Sequence, residues 1–322
     1  MLVYITRRLL FSIPVLIIAT FVTFCAVSYS GNPLAALEQN PRVDHHTIEN
    51  LTLQYHLNQP VPIRYFYWVE NIFTHKFGTY LISGAPMWPD VTRTLSHTLM
   101  VVGTAELIAF ILGVLIGIYS AVKQYSFFDY SFTTFSFLGF AMPTFLLALL
   151  LQEAATDEYL KWNVRIVYTS GLNSAGNLST WSLDRLQHIA LPVITLCIVS
   201  LAVYSRYMRA SMLDVLNTDY VRTARAKGLS EWKVINRHVF RNALIPMATI
   251  AALNIGALFG GAIITESIFQ LDGFGYWFLQ ELSIPDTYGV MTYIVITGSM
   301  IVIFNLVADV LYGFLDPRIR LD

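Results

Sequence analysis

Long apolar runs alternate with short polar ones along this chain, and six of the runs approach the length at which a helix crosses hydrocarbon, about 20 residues. They are Leu9 to Ser28, Thr98 to Val122, Tyr130 to Gln152, Ile189 to Tyr204, Ala243 to Phe269 and Tyr288 to Leu315. The fourth is the shortest. Arg7 and Arg8 precede the first run, as in a signal peptide. Its apolar stretch exceeds the roughly 7–15 residues of a signal core, so the pattern predicts an uncleaved helix. Residues 30–96 form a segment too long to be structureless. Within it "PIRYFYWVENIF" puts Ile63, Phe66, Tyr67, Val69 and Phe73 near one helical face, with Trp68 suited to a lipid–water boundary. That pattern fits a helix lying on the outer surface or a small outer core.

Inside the runs, Gly113-x-x-x-Gly117 and Gly256-x-x-x-Gly260 predict close helix–helix contact. Pro14, Pro143 and Pro192 fall in or near spans, where neighbours can re-satisfy the backbone. The composition agrees with a lipid solvent. The 322 residues are 55% hydrophobic and 13% charged, about half the charge density of a soluble domain. Cys25 and Cys197 both lie in apolar runs and no Cys/His zinc spacing exists, so they read as small core residues. The net charge of −1 points to no partner, but the distribution of charge is informative. Thirteen of the 20 Lys and Arg residues fall on one side of the spans, eight of them between 206 and 241. The positive-inside rule places that side, with both termini, in the cytosol.

The 206–241 loop has a shape as well as a charge. Thr218 or Asp219 can cap a short helix, "YVRTARAK". Gly228 stands where a left-handed residue ends a helix cheaply, with Leu229 able to fold back onto Ala224. Ser230 can cap a second helix, "EWKVINRHVF", with Trp232, Ile235 and Val239 on one face. Eight basic residues against Asp214, Asp219 and Glu231 leave the loop at +5. A polybasic patch on anionic lipid accounts for the charge. Small residues at Ala224 and Ala226 beside a sharp turn fit a helix that drops into another protein's groove.

"DYVRTARAKGL" followed by "HVFRNALIP" resembles the cytosolic loop of ABC-importer permeases of the dipeptide/oligopeptide type. "QYSFFDYSFTTFSFLGFAMPTF" at 124–145, "LPVITL" at 191–196, "ESIFQLDGFGYWF" at 266–278 and "NLVADVLYGFLDPRIR" at 305–320 carry the likeness from residue 97 onward. The chain departs from the common pattern at Arg222 and Thr223, where Glu-Ala is usual, and at Arg241 and Asp272, where Pro is usual. The resemblance implies an all-α membrane protein with six transmembrane helices, the type I ABC importer permease fold, and cytosolic termini. Residues 1–96 would hold the first helix and an extracytoplasmic segment, 97–315 the permease core with a coupling loop at about 206–242, and 316–322 a cytosolic tail. Asp219, Tyr220, Arg222, Thr223, Ala224, Ala226, Lys227, Gly228 and Leu229 would seat in a cleft of an ATPase subunit. Asp316, Pro317 and Arg318 would support the same interface.

In that family two related permeases pair, two cytosolic ATPases bind below, and an extracytoplasmic solute-binding protein delivers cargo. The implied role is a non-catalytic permease subunit of an ATP-driven importer of di- or oligopeptides in a bacterial or archaeal cell membrane. Relatives carry nickel chelates, glutathione or haem. The chain itself would bind no cofactor and no nucleic acid, with ATP and Mg at the partner ATPases. The residues agree: there is no Gly-Lys pair, hence no P-loop, and no His-Glu-x-x-His or Gly-x-Ser-x-Gly. Glu106, Glu266 and Asp309 are the ionisable residues in or near spans. Three scattered carboxylates make a poor relay for an ion-coupled transporter, the competing reading, alongside a lipid-binding scaffold. Asn254, Gly256, Gly260 and Gly261 are candidate pathway-adjacent positions, with helix packing the alternative.

Overall fold

In a bilayer every backbone N–H and C=O must be satisfied within the protein, and helices do this within one segment. The computed structural model describes residues 2–39, 43–74, 78–81, 83–174, 176, 182–283 and 286–315, and these are helical almost throughout. In chain order the helices are α1 (Leu2–Ser30), α2 (Ala35–Glu38), α3 (His45–Gln54), α4 (Val61–Thr74), α5 (Trp88–Val122), α6 (Phe127–Ala141) and α7 (Thr144–Trp162). Then come α8 (Leu183–Leu216), α9 (Asp219–Ala226), α10 (Glu231–Val234), a π-helical turn (Ile235–Phe240), α11 (Arg241–Ile268), α12 (Phe274–Ser283) and α13 (Thr287–Leu315).

Five stretches are long and apolar enough to cross a membrane: Thr6–Ser30, Trp88–Val122, Leu183–Leu216, Glu231–Gly256 and Thr287–Leu311. The third predicted span is not one rod. It is α6 and α7, bent through 105°, which makes a sixth crossing if the pair is counted as one. Pro143 is the cause: the ring pushes Met142 to φ −78°, ψ 125°, outside the helical region, and breaks the ladder. The fourth span also differs from the expectation. It begins before Ile189 and continues past Tyr204 to Leu216, so Arg206 and Arg209 lie on α8 and not in a loop. Neither charge is left bare. Arg209 forms a two-pronged pair with Asp129 of α6 at 2.7 and 2.8 Å, and Arg206 lies over the rings of Phe137 and Phe140.

The tightest seam joins α5 to α8. A Cβ on Gly113 would come within 2.5 Å of the Tyr204 Cβ, and one on Gly117 within 2.5 Å of the Met208 Cβ. The small-x-x-x-small pattern there therefore marks a contact between backbones. A second core sits at one end of the bundle, where Phe24, Leu34, Trp68, Phe274, Trp277 and Met291 pack together. It settles how α4 lies. Trp68 is 2% exposed and belongs to this core, while Phe66 and Phe73 stay exposed. The face chosen from sequence is thus mostly the outward one, with Val69 alone of its five residues packed against this core. The inward face is fixed by Tyr65, whose hydroxyl hydrogen-bonds Thr20 of α1 at 2.8 Å, and by Trp68 against Phe24.

Candidate functional site

The basic turn after α8 is built on an apolar base. Val221 and Ala224 of α9, Val234 of α10 and Val239 of the π-turn are buried and join the main core with Met212, Ala243 and Met247. The stretch between Ala224 and Val234 faces out: Arg225 through Lys233 are exposed without interruption. α9 ends at Ala226, and Gly228 follows at φ +76°, a left-handed conformation, with open space where a Cβ would stand. Two bonds stiffen the turn. Arg225 pairs with Glu231 across Gly228 at 2.8 Å, and Asn242 of α11 donates to the Tyr220 hydroxyl at 3.2 Å. Neither was singled out from sequence, although opposite charges six residues apart across a Gly turn are a legible sign. Thr218 precedes α9 but donates its hydroxyl to the Val215 carbonyl instead of capping, and Asp219 supplies the negative charge at the helix start.

Of the residues singled out for this loop, Asp219, Tyr220, Arg222, Thr223, Ala226, Lys227, Gly228 and Leu229 lie on the exposed surface. Ala224 does not. At 6% exposure it faces the core, where its small side chain lets α9 lie close to the bundle. The expected face of the second helix is also corrected, because Trp232 is 73% exposed while Val234 and Val239 are buried. The reason is the change of helix type: in an i→i+5 helix, residues five apart fall on one side, so Val234 and Val239 align. Asp316, Pro317 and Arg318 lie outside the described residues.

The ionisable residues in or near the spans are all engaged. Glu106 accepts from the Ser200 hydroxyl at 2.5 Å and from the Tyr204 hydroxyl, tying α5 to α8. Asn254 of α11 lies beside Tyr204, so this candidate pathway residue faces the α5–α8 seam. Gly256 is packed at the α11–α13 seam, against Ile301 and Phe304, and turns no face to an open path within this chain. The surroundings of Gly260 and Gly261 lie outside the described residues. Asp309 of α13 accepts from Arg8 of α1 at 2.8 Å, and so joins the two terminal helices.

Glu266 organises the far end of the bundle. It accepts from Thr98 at 2.5 Å and from the backbone N–H groups of Gly275 and Tyr276 at 2.7 and 3.0 Å, capping the start of α12. A Cβ on Gly273 would fall 2.5 Å from both its carboxylate oxygens. Asp272 is held by Arg93 in an ion pair, and its carbonyl is bonded to His97 at 2.7 Å. The segment from Asp272 into the start of α12 is thereby tied to α5. No group of three or more metal-ligating side chains occurs among the described residues.

Comparison with known proteins bears on the family and the fold. Residues 113–321 match the family described as binding-protein-dependent transport system inner membrane component. The chain is 36% identical over 321 residues to the oligopeptide transport system permease protein OppB of Mycobacterium bovis, covering 98% of each. It is 35% identical to the oligopeptide transport system permease protein AppB of Bacillus subtilis, covering 98% of this chain and 99% of that one. It is 32% identical to the dipeptide transport system permease protein DppB of Escherichia coli over 99% of both. A solved chain of the MetNI methionine ABC transporter in inward-facing conformations superposes with a TM-score of 0.55 at 13% identity, over 72% of this chain and 98% of that one. At that identity the likeness speaks for the fold.

Proposed function

The chain belongs to the binding-protein-dependent transport system inner membrane components, and from that membership we propose that it is the permease subunit of an ATP-driven importer of di- or oligopeptides. It lines one half of the path and a second, related permease lines the other. Two ATPase subunits bind the basic turn, and a solute-binding protein docks at the end of the bundle that carries α12. Both termini and the turn face the cytosol, with 1–96 carrying the outer segment, 97–315 the core and 316–322 the tail. ATP hydrolysis takes place on the partner chains, where ATP and Mg are held.

One observation carries this reading. Arg225 to Lys233 project as a stiff, positively charged loop, while Val221, Ala224, Val234 and Val239 root it in the core that contains the α5–α8 seam. A patch that merely rests on lipid has no need of such rooting. Force applied to the loop passes into a close-packed interior, which resists compression. Arg222, Lys227 and the exposed backbone at Gly228 meet acidic side chains and carbonyls of the ATPase. The cargo path runs beside α11 towards Gly260 and Gly261, with Asn254 supporting that helix from the side of the bundle. ATP binding draws the ATPases together and opens the path outward, and hydrolysis resets it.

Purification in mild detergent followed by mass spectrometry tests the assembly: a second permease and two ATPase chains are expected to accompany this one. Uptake should stop on ATP depletion and survive collapse of the proton gradient. The reverse result would favour an ion-coupled carrier and overturn the proposal. Competition among dipeptides, oligopeptides, a nickel chelate, glutathione and haem assigns the cargo.

A further inference from the structure

The end of the bundle opposite the basic turn holds a carboxyl group that the transport scheme does not use. Glu281, in the last turn of α12, is 7% exposed. Its carboxyl end lies over Gly289 of α13, where a Cβ would come within 2.6 Å of Oε2. Among the described residues no N–H or O–H donates to it, and the charged groups that face it are Asp286 at the start of α13 and Asp90 of α5. The Tyr80 hydroxyl also stands within its field and donates to Asp90 at 2.9 Å. Arg93, the cation on Asp90, is committed to Asp90 at 3.0 Å and to Asp272.

The two acids at the seam are not equivalent. Asp286, 3% exposed, accepts from the backbone N–H groups of Leu81, Tyr288 and Gly289 at 2.7, 2.9 and 3.1 Å. Burial pushes the Asp286 carboxyl up, and those three bonds, which favour its anion and cap α13, oppose that push. Glu281 has no such donors, so a proton shared by the pair resides on Glu281. Burial, then Asp286 and Asp90, push the Glu281 carboxyl up to about 7. When that proton leaves, two carboxylates face each other out of water, and repulsion there is only weakly screened.

We propose that Glu281 makes the α12–α13 seam a proton-responsive clasp, closed while the carboxyl is neutral and loosened when it ionises. The rest of the network sets what moves. The start of α12 stays pinned by Glu266, so the loosened part is the second half of α12, from Trp277 to Ser283. Trp277 donates from Nε1 to the Tyr80 hydroxyl at 3.0 Å, so release of this half also frees the 78–81 turn that Asp286 holds. The clasp does not depend on ATPase coupling, and capture of ATPase partners from the same preparation tests that reading separately.

The test is hydrogen exchange by mass spectrometry on the assembled transporter in lipid nanodiscs, read on peptides spanning 274–290 and corrected for intrinsic rates. Between pH 5.5 and 8.5 the wild-type protection factor of this segment should fall at least tenfold, while peptides of α5 and α8 stay unchanged. Glu281→Gln should keep its low-pH protection at pH 8.5. Asp286→Asn, which weakens the helix cap, should lose protection at every pH. Constant wild-type protection across the range overturns the proposal, as does a fall of equal size in Glu281→Gln. Should Glu281→Gln fail to assemble, the wild-type titration with Trp277 emission as a second readout decides alone.

Discussion

Two copies of one sequence pattern should respond in opposite directions to the same small change. Gly117 ends one small-x-x-x-small face and Gly256 begins the other, and their surroundings differ. An Ala methyl at Gly117 would stand 2.5 Å from the Met208 Cβ, 2.8 Å from the Ser205 carbonyl oxygen and 3.0 Å from the Arg209 nitrogen. Apolar atoms settle at about 3.5–4.0 Å, so the α5–α8 seam must open by about 1 Å, a gap that forfeits a quarter to a half of each dispersion contact along it. None of the three atoms is the end of a flexible side chain. Overpacking of this kind costs about 1–3 kcal/mol. It also strains the Arg209–Asp129 pair one residue further on. At Gly256 the same methyl meets Phe304 Cβ at 3.5 Å and Ile301 Cα at 3.6 Å, ordinary contact. Replacing a mid-helix Gly there gains about 0.5–1 kcal/mol of backbone entropy. The assay is the apparent melting temperature of the detergent-solubilised chain, followed by fluorescence-detected gel filtration. Gly117→Ala should melt several degrees lower than wild type, and Gly256→Ala at or above it. Equal shifts, or a stable Gly117→Ala, would refute the reasoning from backbone contact.

Ala226→Trp, on the exposed side of α9, should leave the melting temperature unchanged and abolish ATP-driven uptake, whereas Ala224→Trp should lower the amount of folded chain in the membrane, as immunoblots and melting curves can tell apart. Gly228→Val should cost about 1–2 kcal/mol through its left-handed backbone alone and lower uptake, with Gly228→Asn milder, since Asn tolerates that region. For Glu281, the pH dependence has a definite sign. Its carboxyl rises from an ordinary 4.5 to about 7, so its contribution to stability is full below pH 4.5 and declines as pH climbs to 7, by on the order of 3 kcal/mol. The melting temperature of the wild type should therefore fall relative to Glu281→Gln across that interval and run parallel to it above pH 7. Arg225→Ala should leave folding intact and reduce ATPase stimulation by cargo-loaded binding protein, with a smaller loss in Arg225→Lys.

The spans were legible because lipid demands length and apolarity together, and the ends of α1, α11 and α13 agree with the runs to within a few residues, α1 excepted at its start. There the helix reaches back to Leu2 through Arg7 and Arg8. What sequence hid were the places where a partner cancels a signal. Arg206 and Arg209 look like loop residues until Phe137, Phe140 and Asp129 are seen to receive them. Pro143 was noted, but a proline in a span can kink a helix or stop it, and only the packing of α6 and α7 decides. The turn at Gly228 was read correctly as helix–Gly–helix. Its inner face was not, because a π-turn changes the period on which face assignments rest. Ala224 exposes a further limit: a small residue suits a docking surface and a tight core equally well.

The length of α8 has a mechanical meaning. Its 34 residues rise about 51 Å, against roughly 30 Å of hydrocarbon. About two-fifths of this rod therefore stands clear of the oily layer, and its parallel neighbour α5, 35 residues long, is clamped to it where backbones touch. Paired in this way the two behave as one girder, and a tilt imposed at the overhanging tip must reappear at the opposite end instead of being absorbed on the way.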